Sequence, residues 1–430
     1  MMKFNKEKVT GLFNNMSPTL DKIGKNKYLQ TIMGAMMALL PPIILGSLAT
    51  LLSIYTKDLN YKPLSNILNG IGTITIGAMA LYLSFLMAKY LVQNFMSDQD
   101  DGTAAGIISL MSFLIMTPLG SYTSNHVAVT AIPVTWLSSQ GVFSAMVIGL
   151  IVGRLYIYIV KHGWTIKMPA GVPPMVSQSF AALIPGIFIG IIFGLASFLF
   201  AISSFGSFHQ MIFSIIQEPL RGIGGNIWAM ILVSLLMQIM WFFGIHGTNV
   251  LLPLVTPIWL FMDVENLNAV AKGVTPPNII GLGFFNIITW GGLALGLVIL
   301  MLFAKSKRYK ELGKIAVVPA LFGITEPVIF GTPLVLNFNL AIPFIFNNAI
   351  ALGISYVLIK LGIVARFIGS QAIFGLPLGF HAGIEGHASI IILQLFLQLV
   401  LSTILWYPWF KHLDNQTYKA EMEGVNHVAN

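Results

Sequence analysis

Two short segments that combine glycine with one titratable side chain are the places in this sequence where chemistry is expected. The first is Phe322–Pro333, in which Glu326 is the only charged residue between residues 315 and 359. A carboxylate in such an apolar run is costly, and it is usually retained because it has a function. Two glycines and two prolines in the segment interrupt a helix. The pattern predicts a re-entrant loop whose carboxylate faces a ligand; the alternative is a kinked helix with a protonated, hydrogen-bonded Glu326.

The second segment is Trp241–Asn249, in which His246 lies between Gly244 and Gly247. No Asp, Glu, Lys or Arg occurs from residue 222 to residue 262. A histidine framed by glycines at the end of an apolar run can present a ring nitrogen to a ligand and exchange a proton near neutral pH. The alternative is a core histidine bonded to a backbone carbonyl.

Neutral polar and aromatic side chains accompany both segments. Hydroxyl and amide groups can pair with the hydroxyls of a sugar, and Trp241 and Trp290 offer flat apolar faces to its C–H groups. The same residue types also join membrane helices or anchor their ends. The predicted substrate-binding residues are His246, Glu326, Asn249, Gly247, Thr325, Trp241, Asn286 and Thr332. Glu326 and His246 are also the predicted catalytic residues.

Several other chemistries are disfavoured. The sequence has no cysteine, which excludes disulfides and thiolate metal ligands within it. It has no phosphate-binding glycine loop followed by lysine. His381, Glu385 and His387 could suggest a metal site, but the surrounding glycines favour a polar loop. We therefore predict no metal and no cofactor.

Composition indicates a polytopic, all-α membrane protein. Of the 430 residues, 56% are hydrophobic and only 9% are charged, whereas soluble domains carry about 25% charged residues. The net charge of +8 does not indicate nucleic-acid binding, because the basic residues cluster at the ends of apolar runs. About ten runs are long enough to cross a bilayer: 29–54, 70–92, 103–118, 141–160, 181–203, 227–243, 244–263, 277–304, 338–360 and 388–410.

Charge placement predicts the orientation of these runs. Residues 1–28 carry six lysines against two acidic residues, and the loop 305–314 carries five basic residues against one. Both are expected in the cytoplasm. An even number of crossings must separate them, so the interrupted segment 244–263 is assigned as a short or broken crossing. The tail 411–430 then also lies in the cytoplasm.

A proline-rich stretch divides the chain. Residues 161–180 combine prolines, basic residues and Trp164, which is typical of a cytoplasmic interfacial linker. This linker separates an N-terminal half, 29–160, from a C-terminal region, 181–410, in which 204–226 is a second interfacial stretch. The broken segments 244–263 and 318–334 both lie in the C-terminal region, and broken segments indicate a transporter's binding site.

The sequence resembles the membrane subunit, enzyme IIC, of the bacterial sugar phosphotransferase system, in its lactose/cellobiose/diacetylchitobiose branch. The motifs that carry the resemblance are Gly244-Ile245-His246-Gly247 and the Gly-x-x-Glu-Pro-x-x-Phe-Gly-x-Pro run at 323–333. Gly171-Val172-Pro173-Pro174, the run 179–185 and the segment 407–411 support it. The similarity covers nearly the whole chain.

The resemblance implies a homodimer whose N-terminal half forms the scaffold and whose C-terminal half carries a disaccharide across the membrane by an elevator-type movement. His246, Glu326 and Asn249 match the family's sugar-contacting positions. The resemblance also implies a phosphocysteine partner, enzyme IIB. Because this sequence lacks cysteine, that partner is expected on a separate polypeptide.

Three positions depart from the family pattern. Thr325 replaces the usual Asn before Glu326, the glycine-rich stretch reads Gly291-Gly292-Leu293-Ala294, and the late segment 373–377 lacks the usual Trp and Thr residues. The departures at 291–294 and 373–377 leave open a transport-inactive membrane sensor or docking subunit. A second alternative to the permease is a proton-coupled sugar transporter with Glu326 as the proton carrier.

Overall fold

A computed structural model describes residues 26–58, 62–96, 100–124, 127–169, 171–172, 174–332, 334–371 and 375–428. Helices dominate these ranges because a bilayer offers the backbone no water, and a helix satisfies its own N–H and C=O groups. The described residues 26–224 contain the helices Lys27–Ala38, Leu40–Asp58, Lys62–Thr75, Met79–Met96, Thr103–Met116, Val134–Leu137, Val142–Lys161, Pro174–Ala181, Leu183–Ala201, Phe208–Ile212 and Glu218–Gly224. The later residues contain Ile227–Phe242, Gly247–Ala271, Leu282–Ile288, Leu295–Leu302, Lys307–Leu321, Glu326–Gly331, Ala341–Lys360, Phe380–Gly383, Ala388–Leu395 and Ser402–Val428.

Most of the ten predicted membrane crossings are confirmed as apolar helices of sufficient length. Within the described ranges, eight helical stretches are long and apolar enough to cross a bilayer. A ninth arises if the bent pair Phe208–Gly224 and Ile227–Phe242 is counted as one span. The helix Thr103–Met116 corresponds to the remaining predicted run, but it has only 14 residues. The all-α class holds with one addition, a β-hairpin.

The hairpin pairs Gly120–Ser124 with Val127–Ala131 in antiparallel register, with Gly120 opposite Ala131 and Ser124 opposite Val127. The composition explains the strands, since Tyr, Thr and Val are residue types that favour extended backbone. The hairpin is not predicted from the sequence because each strand has only five residues.

The chain forms two compact units. Unit 1 comprises residues 1–223 and 253–264, and unit 2 comprises residues 224–252 and 265–430. The predicted C-terminal region 181–410 differs from this division, because the helix Leu183–Ala201 packs in unit 1 against Thr103–Met116 and Val142–Lys161. The helix Pro174–Ala181 also occupies the end of the predicted linker 161–180.

Small residues allow close helix packing in unit 1. The helices Met79–Met96 and Val142–Lys161 meet where a Cβ added to Gly149 would lie 2.4 Å from Met87 Cβ. Ser84 Oγ and Ser109 Oγ lie 2.8 Å apart and join two helices through a buried hydrogen bond. Small side chains and hydroxyl pairs are the usual means of association between membrane helices.

A buried histidine anchors the helix Phe208–Ile212, part of the stretch predicted as interfacial, 204–226, within unit 1. His209 has no exposed surface, and its Nδ1 and Nε2 atoms lie 2.6 Å from Ser144 Oγ and 3.0 Å from Thr117 Oγ1. The ring of Trp136 stacks on it with a centroid separation of 5.6 Å. Both ring nitrogens are therefore used inside the protein, and His209 is a structural residue.

In unit 2, the C-terminal helix Ser402–Val428 fastens the start of Lys307–Leu321. Asp414 accepts hydrogen bonds from the backbone N–H groups of Lys305 and Ser306, each at 2.9 Å. Glu421 accepts a 2.6 Å hydrogen bond from Ser306 Oγ. The helix begins with unsatisfied N–H groups, and these carboxylates satisfy or neighbour them. Much of the predicted polar tail 411–430 is thus helical.

Candidate functional site

One hydrophobic core supports both predicted broken segments in unit 2. Phe242, Val328 and Ile329 belong to the same buried cluster, which Leu334 and Trp406 help to fill. The backbone N–H of Leu336 also donates a 2.9 Å hydrogen bond to the carbonyl oxygen of Phe242. The chain that follows Thr332 is therefore fixed directly to the chain that precedes His246.

The first break is confined to Phe243–His246. Gly244 adopts a φ of +82°, a left-handed conformation that favours glycine. From Gly247 the chain is one 25-residue helix to Ala271, with Pro253 and Pro257 inside it. The expectation of a short or broken crossing throughout 244–263 is therefore wrong for the residues after His246. Membrane helices tolerate internal proline because neighbouring groups satisfy the freed carbonyls.

His246 stands at the start of that helix with a defined orientation. Its Nδ1 accepts a 3.2 Å hydrogen bond from the backbone N–H of Asn249. The Trp241 ring lies against it, with the ring centroids 4.2 Å apart. A neutral imidazole with Nδ1 as acceptor carries its proton on Nε2. His246 thus offers an N–H donor, and its side chain is exposed at the surface of the chain.

The second break precedes the six-residue helix Glu326–Gly331. Gly323 has a φ of +78°, and a Cβ added there would lie 2.8 Å from Trp290 Cε2. Thr325 is buried, and its carbonyl accepts hydrogen bonds from the next helix's Val328 and Ile329 N–H groups, each at 3.0 Å. Glu326 opens this helix with an exposed side chain.

A third break, not predicted as one, lies beside the second. Gly291 and Gly292 have φ values of +55° and +61°, which interrupt the apolar stretch 282–302. A Cβ added to Gly291 would lie 3.3 Å from Thr325 Cγ2, so the two breaks are in contact. A glycine pair in the middle of an apolar run is the sequence pattern that indicates this break. In the sequence alone, the pair stands out only as a departure from the family pattern.

Both titratable residues belong to unit 2, and the breaks that carry them are supported by one core. His246 contributes an Nε2–H donor, and Glu326 contributes an exposed carboxylate acceptor. A donor and a carboxylate acceptor together suit the hydroxyls of a sugar, each of which both donates and accepts.

The other predicted substrate-binding residues differ in their burial and in their contacts. Thr332 is 1% exposed, and its Oγ1 has no hydrogen-bond partner among the described residues. Asn249 is exposed and Asn286 half-buried, and neither side chain makes a hydrogen bond to another residue in the described ranges. Trp241 contacts His246, and Gly247 allows the helix to begin against Met237. Pro333 and residues 372–374 lie outside the described residues.

The side chains of the His381–His387 stretch have separate settings in the structure. No group of three or more His, Cys, Asp or Glu side chains arranged to hold a metal ion occurs in the part of the chain that the structure describes. His381 and Glu385 are buried, whereas the exposed His387 caps the next helix by accepting the Ser389 N–H at 3.2 Å. The Glu385 carboxylate accepts the N–H of Gly369 at 3.0 Å.

The family model for "Phosphotransferase system, EIIC" matches residues 33–347, a range that includes all three breaks and Glu326. The chain belongs to the EIIC family of the sugar phosphotransferase system. The oligo-beta-mannoside-specific EIIC component of Bacillus subtilis is 33% identical over 420 residues, with 94% of each chain covered. A cellobiose-specific EIIC component from Geobacillus stearothermophilus is 31% identical over 428 residues, covering 94% of each chain.

A solved EIIC structure extends the likeness to the fold. The N,N'-diacetylchitobiose-specific transporter ChbC superposes with a TM-score of 0.87 at 32% identity, covering 96% of this chain and 99% of that one. The chain is therefore an EIIC membrane permease component with the fold of a sugar transporter. The lactose-specific EIICB component of Lacticaseibacillus casei is 26% identical, and this chain spans 73% of its length.

Proposed function

We propose that this EIIC component binds a β-linked disaccharide through His246 and Glu326 and carries it across the membrane for phosphorylation. The observation that carries the proposal is the placement of an oriented His246 N–H and the Glu326 carboxylate on glycine-framed breaks that one hydrophobic core supports. Each residue is isolated in a long apolar run of the sequence, where a titratable side chain is usually retained for a function. Trp241 adds an aromatic surface to the donor.

The names of the relatives support the substrate class. They include oligo-beta-mannoside-, cellobiose- and lactose-specific components and a lichenan permease. Cellobiose and lactose share a β-1,4 linkage. We therefore assign this chain to short β-linked saccharides and place a terminal ring at His246 and Glu326.

The His246 tautomer separates the roles of the two residues. Because Nδ1 accepts the Asn249 N–H, the Nε2–H group donates to a sugar hydroxyl and does not remove its proton. Glu326 then accepts the proton of the 6-hydroxyl as its oxygen attacks phosphorus. The new O–P bond forms, the S–P bond of a phosphocysteine breaks, and the thiolate leaves. Placement of the hydroxyl is the main contribution required.

The phosphoryl donor lies outside these 430 residues, because they contain no cysteine. The lactose-specific relatives named EIICB are longer than this chain, which spans 73% and 72% of two of them. The name EIICB joins a B component to the C component. An enzyme IIB is accordingly the partner proposed here, and it approaches from the cytoplasm.

The proposed transport step is an elevator-type movement in a homodimer of the bacterial cytoplasmic membrane, with both termini in the cytoplasm. The division of the chain into two compact units supports it, because all predicted sugar-binding residues belong to unit 2. Unit 1 then acts as the scaffold. The basic loop 305–314 supports the orientation through the positive-inside rule.

Equilibrium sugar binding to the purified protein tests the site. Cellobiose, lactose and β-1,4-mannobiose are titrated into wild type, Glu326→Gln, His246→Phe and the control Glu423→Gln in the polar tail. We expect His246→Phe to weaken binding at least ~10-fold, the loss of about 1.4 kcal/mol. Unchanged affinity in both site variants would remove His246 and Glu326 from the site.

Uptake measurements separate the two alternatives. Transport that continues without phosphoenolpyruvate and stops with a protonophore would identify a proton-coupled transporter and overturn the permease proposal. Partner binding without sugar flux would identify a transport-inactive sensor. The proposal requires flux that depends on the phosphoryl donor.

A further inference from the structure

Three buried polar side chains in unit 2 have hydrogen-bonding atoms that no described residue satisfies. His381 is 7% exposed, and Gln394 and Gln398 are 0% and 1% exposed. Both ring nitrogens of His381, Nε2 of Gln394 and Oε1 of Gln398 lack a hydrogen-bond partner within the described ranges. The core of a helix bundle can be packed with apolar side chains alone, so the burial of these three polar side chains requires an explanation.

Two of these side chains contact Trp290, and the third is hydrogen-bonded to the chain just before His381. Gln398 Nε2 donates a 2.8 Å hydrogen bond to the Trp290 carbonyl, and the His381 ring meets the indole edge-on with centroids 6.2 Å apart. Gln394 Oε1 accepts the N–H of Gly379 at 3.0 Å, two residues before His381. Each glutamine is held by one end, and its other end is left available.

Buried polar atoms that lack a hydrogen-bond partner indicate a ligand that pairs with them. A buried polar atom without a partner costs about 1–3 kcal/mol, and nearly all such atoms in folded proteins have one. The available set contains an amide donor, an amide acceptor and an imidazole that offers one of each. The three side chains include no carboxylate, and no group of three or more metal-binding side chains occurs in the described ranges. Neutral hydroxyls match this mixture.

Trp290 links this group of side chains to the segment that precedes Glu326. Its indole packs on Gly323, where an added Cβ would lie 2.8 Å away. The next residue, Gly291, lies against Thr325, which immediately precedes Glu326. A chain of contacts through Trp290 and Gly291 thus joins the residues with unsatisfied groups to the segment that carries the carboxylate.

We propose that His381, Gln394 and Gln398 form a subsite for the hydroxyls of the second sugar ring, and that His381 determines the preference for a disaccharide over a monosaccharide. The proposal rests on the proposed function, because it requires a terminal ring at His246 and Glu326. A site built to pair with hydroxyls rejects a ligand that lacks them, since the buried groups then remain unpaired.

Calorimetric titrations with cellobiose and glucose test the subsite. The variants are His381→Phe, which keeps a ring against Trp290, and His381→Gln, which keeps hydrogen-bonding groups. His387→Phe is the matched control, because it makes the same change at the exposed histidine of the same segment. We expect His381→Phe to weaken cellobiose binding at least ~10-fold and to leave glucose binding unchanged. His381→Gln and His387→Phe stay within about threefold of wild type.

Three results would overturn the inference. They are unchanged cellobiose binding in a folded His381→Phe protein, equal weakening of cellobiose and glucose, and a wild type that binds both sugars equally. The last comparison needs no variant and holds even if His381→Phe fails to fold. A wild type that binds neither these sugars nor lactose or mannobiose would instead count against the proposed function.

Discussion

Replacing Gly247 by alanine tests whether the start of the helix Gly247–Ala271 sets the position of His246. A Cβ at residue 247 would lie 2.1 Å from the carbonyl oxygen of Met237 and 2.7 Å from Met237 Cα. These are backbone atoms, which no side-chain rotation can move aside. Real Cβ atoms essentially never approach closer than 3.0 Å, so the chain must shift by about 1 Å.

The shift has two measurable consequences. Overpacking of this kind costs about 1–3 kcal/mol of stability. Misplacement by about 1 Å also spoils a positioned site, and we expect sugar affinity to fall at least ~10-fold. Gly194→Ala is the matched control, since nothing lies within 4 Å of an added Cβ in that helix. Alanine there replaces a poorer helix former and should be neutral or stabilising.

The assay combines thermal unfolding in detergent with calorimetric binding of cellobiose. Gly247→Ala should lower both the melting temperature and the affinity, whereas Gly194→Ala should lower neither. A Gly247→Ala protein with wild-type melting temperature and wild-type affinity would refute the reasoning from this contact.

Two further substitutions concern stability away from the sugar site. Asp414→Ala removes the acceptor for two backbone N–H groups and should cost about 1–3 kcal/mol in thermal unfolding, while the tail substitution Glu423→Ala should cost little; equal melting temperatures would contradict this role of Asp414. His209→Leu loses two buried hydrogen bonds and should cost about 1–2 kcal/mol without changing sugar affinity, with the exposed His412→Leu as control. A His209→Leu protein as stable as the control would show that these bonds contribute nothing.

The membrane crossings were predictable because each apolar run must bury its backbone within one helix. The two titratable residues of the candidate site could also be selected from the sequence, because Glu326 and His246 are isolated in apolar runs. Sequence alone misplaced the extent of the first break. Gly244 and Gly247 suggested an interrupted crossing over 244–263, but the helix begins again at Gly247 and contains Pro253 and Pro257.

Other features depend on tertiary contacts that the sequence does not display. Leu183–Ala201 is apolar on all sides, and its packing in unit 1 follows from its neighbours. The break at Gly291–Gly292 became recognisable only through its contact with Thr325. In the sequence, His381 could suggest a metal ligand, but in the structure its ring is buried against Trp290.

The central claim is that Glu326 accepts the proton of the sugar hydroxyl during phosphoryl transfer. The most direct test is the single-turnover rate of transfer from phosphorylated enzyme IIB to bound cellobiose in Glu326→Gln, with Glu423→Gln as control. We predict a rate at least ~10²-fold below wild type at saturating sugar, the usual contribution of a general base. Transfer by Glu326→Gln at the wild-type rate would contradict the claim.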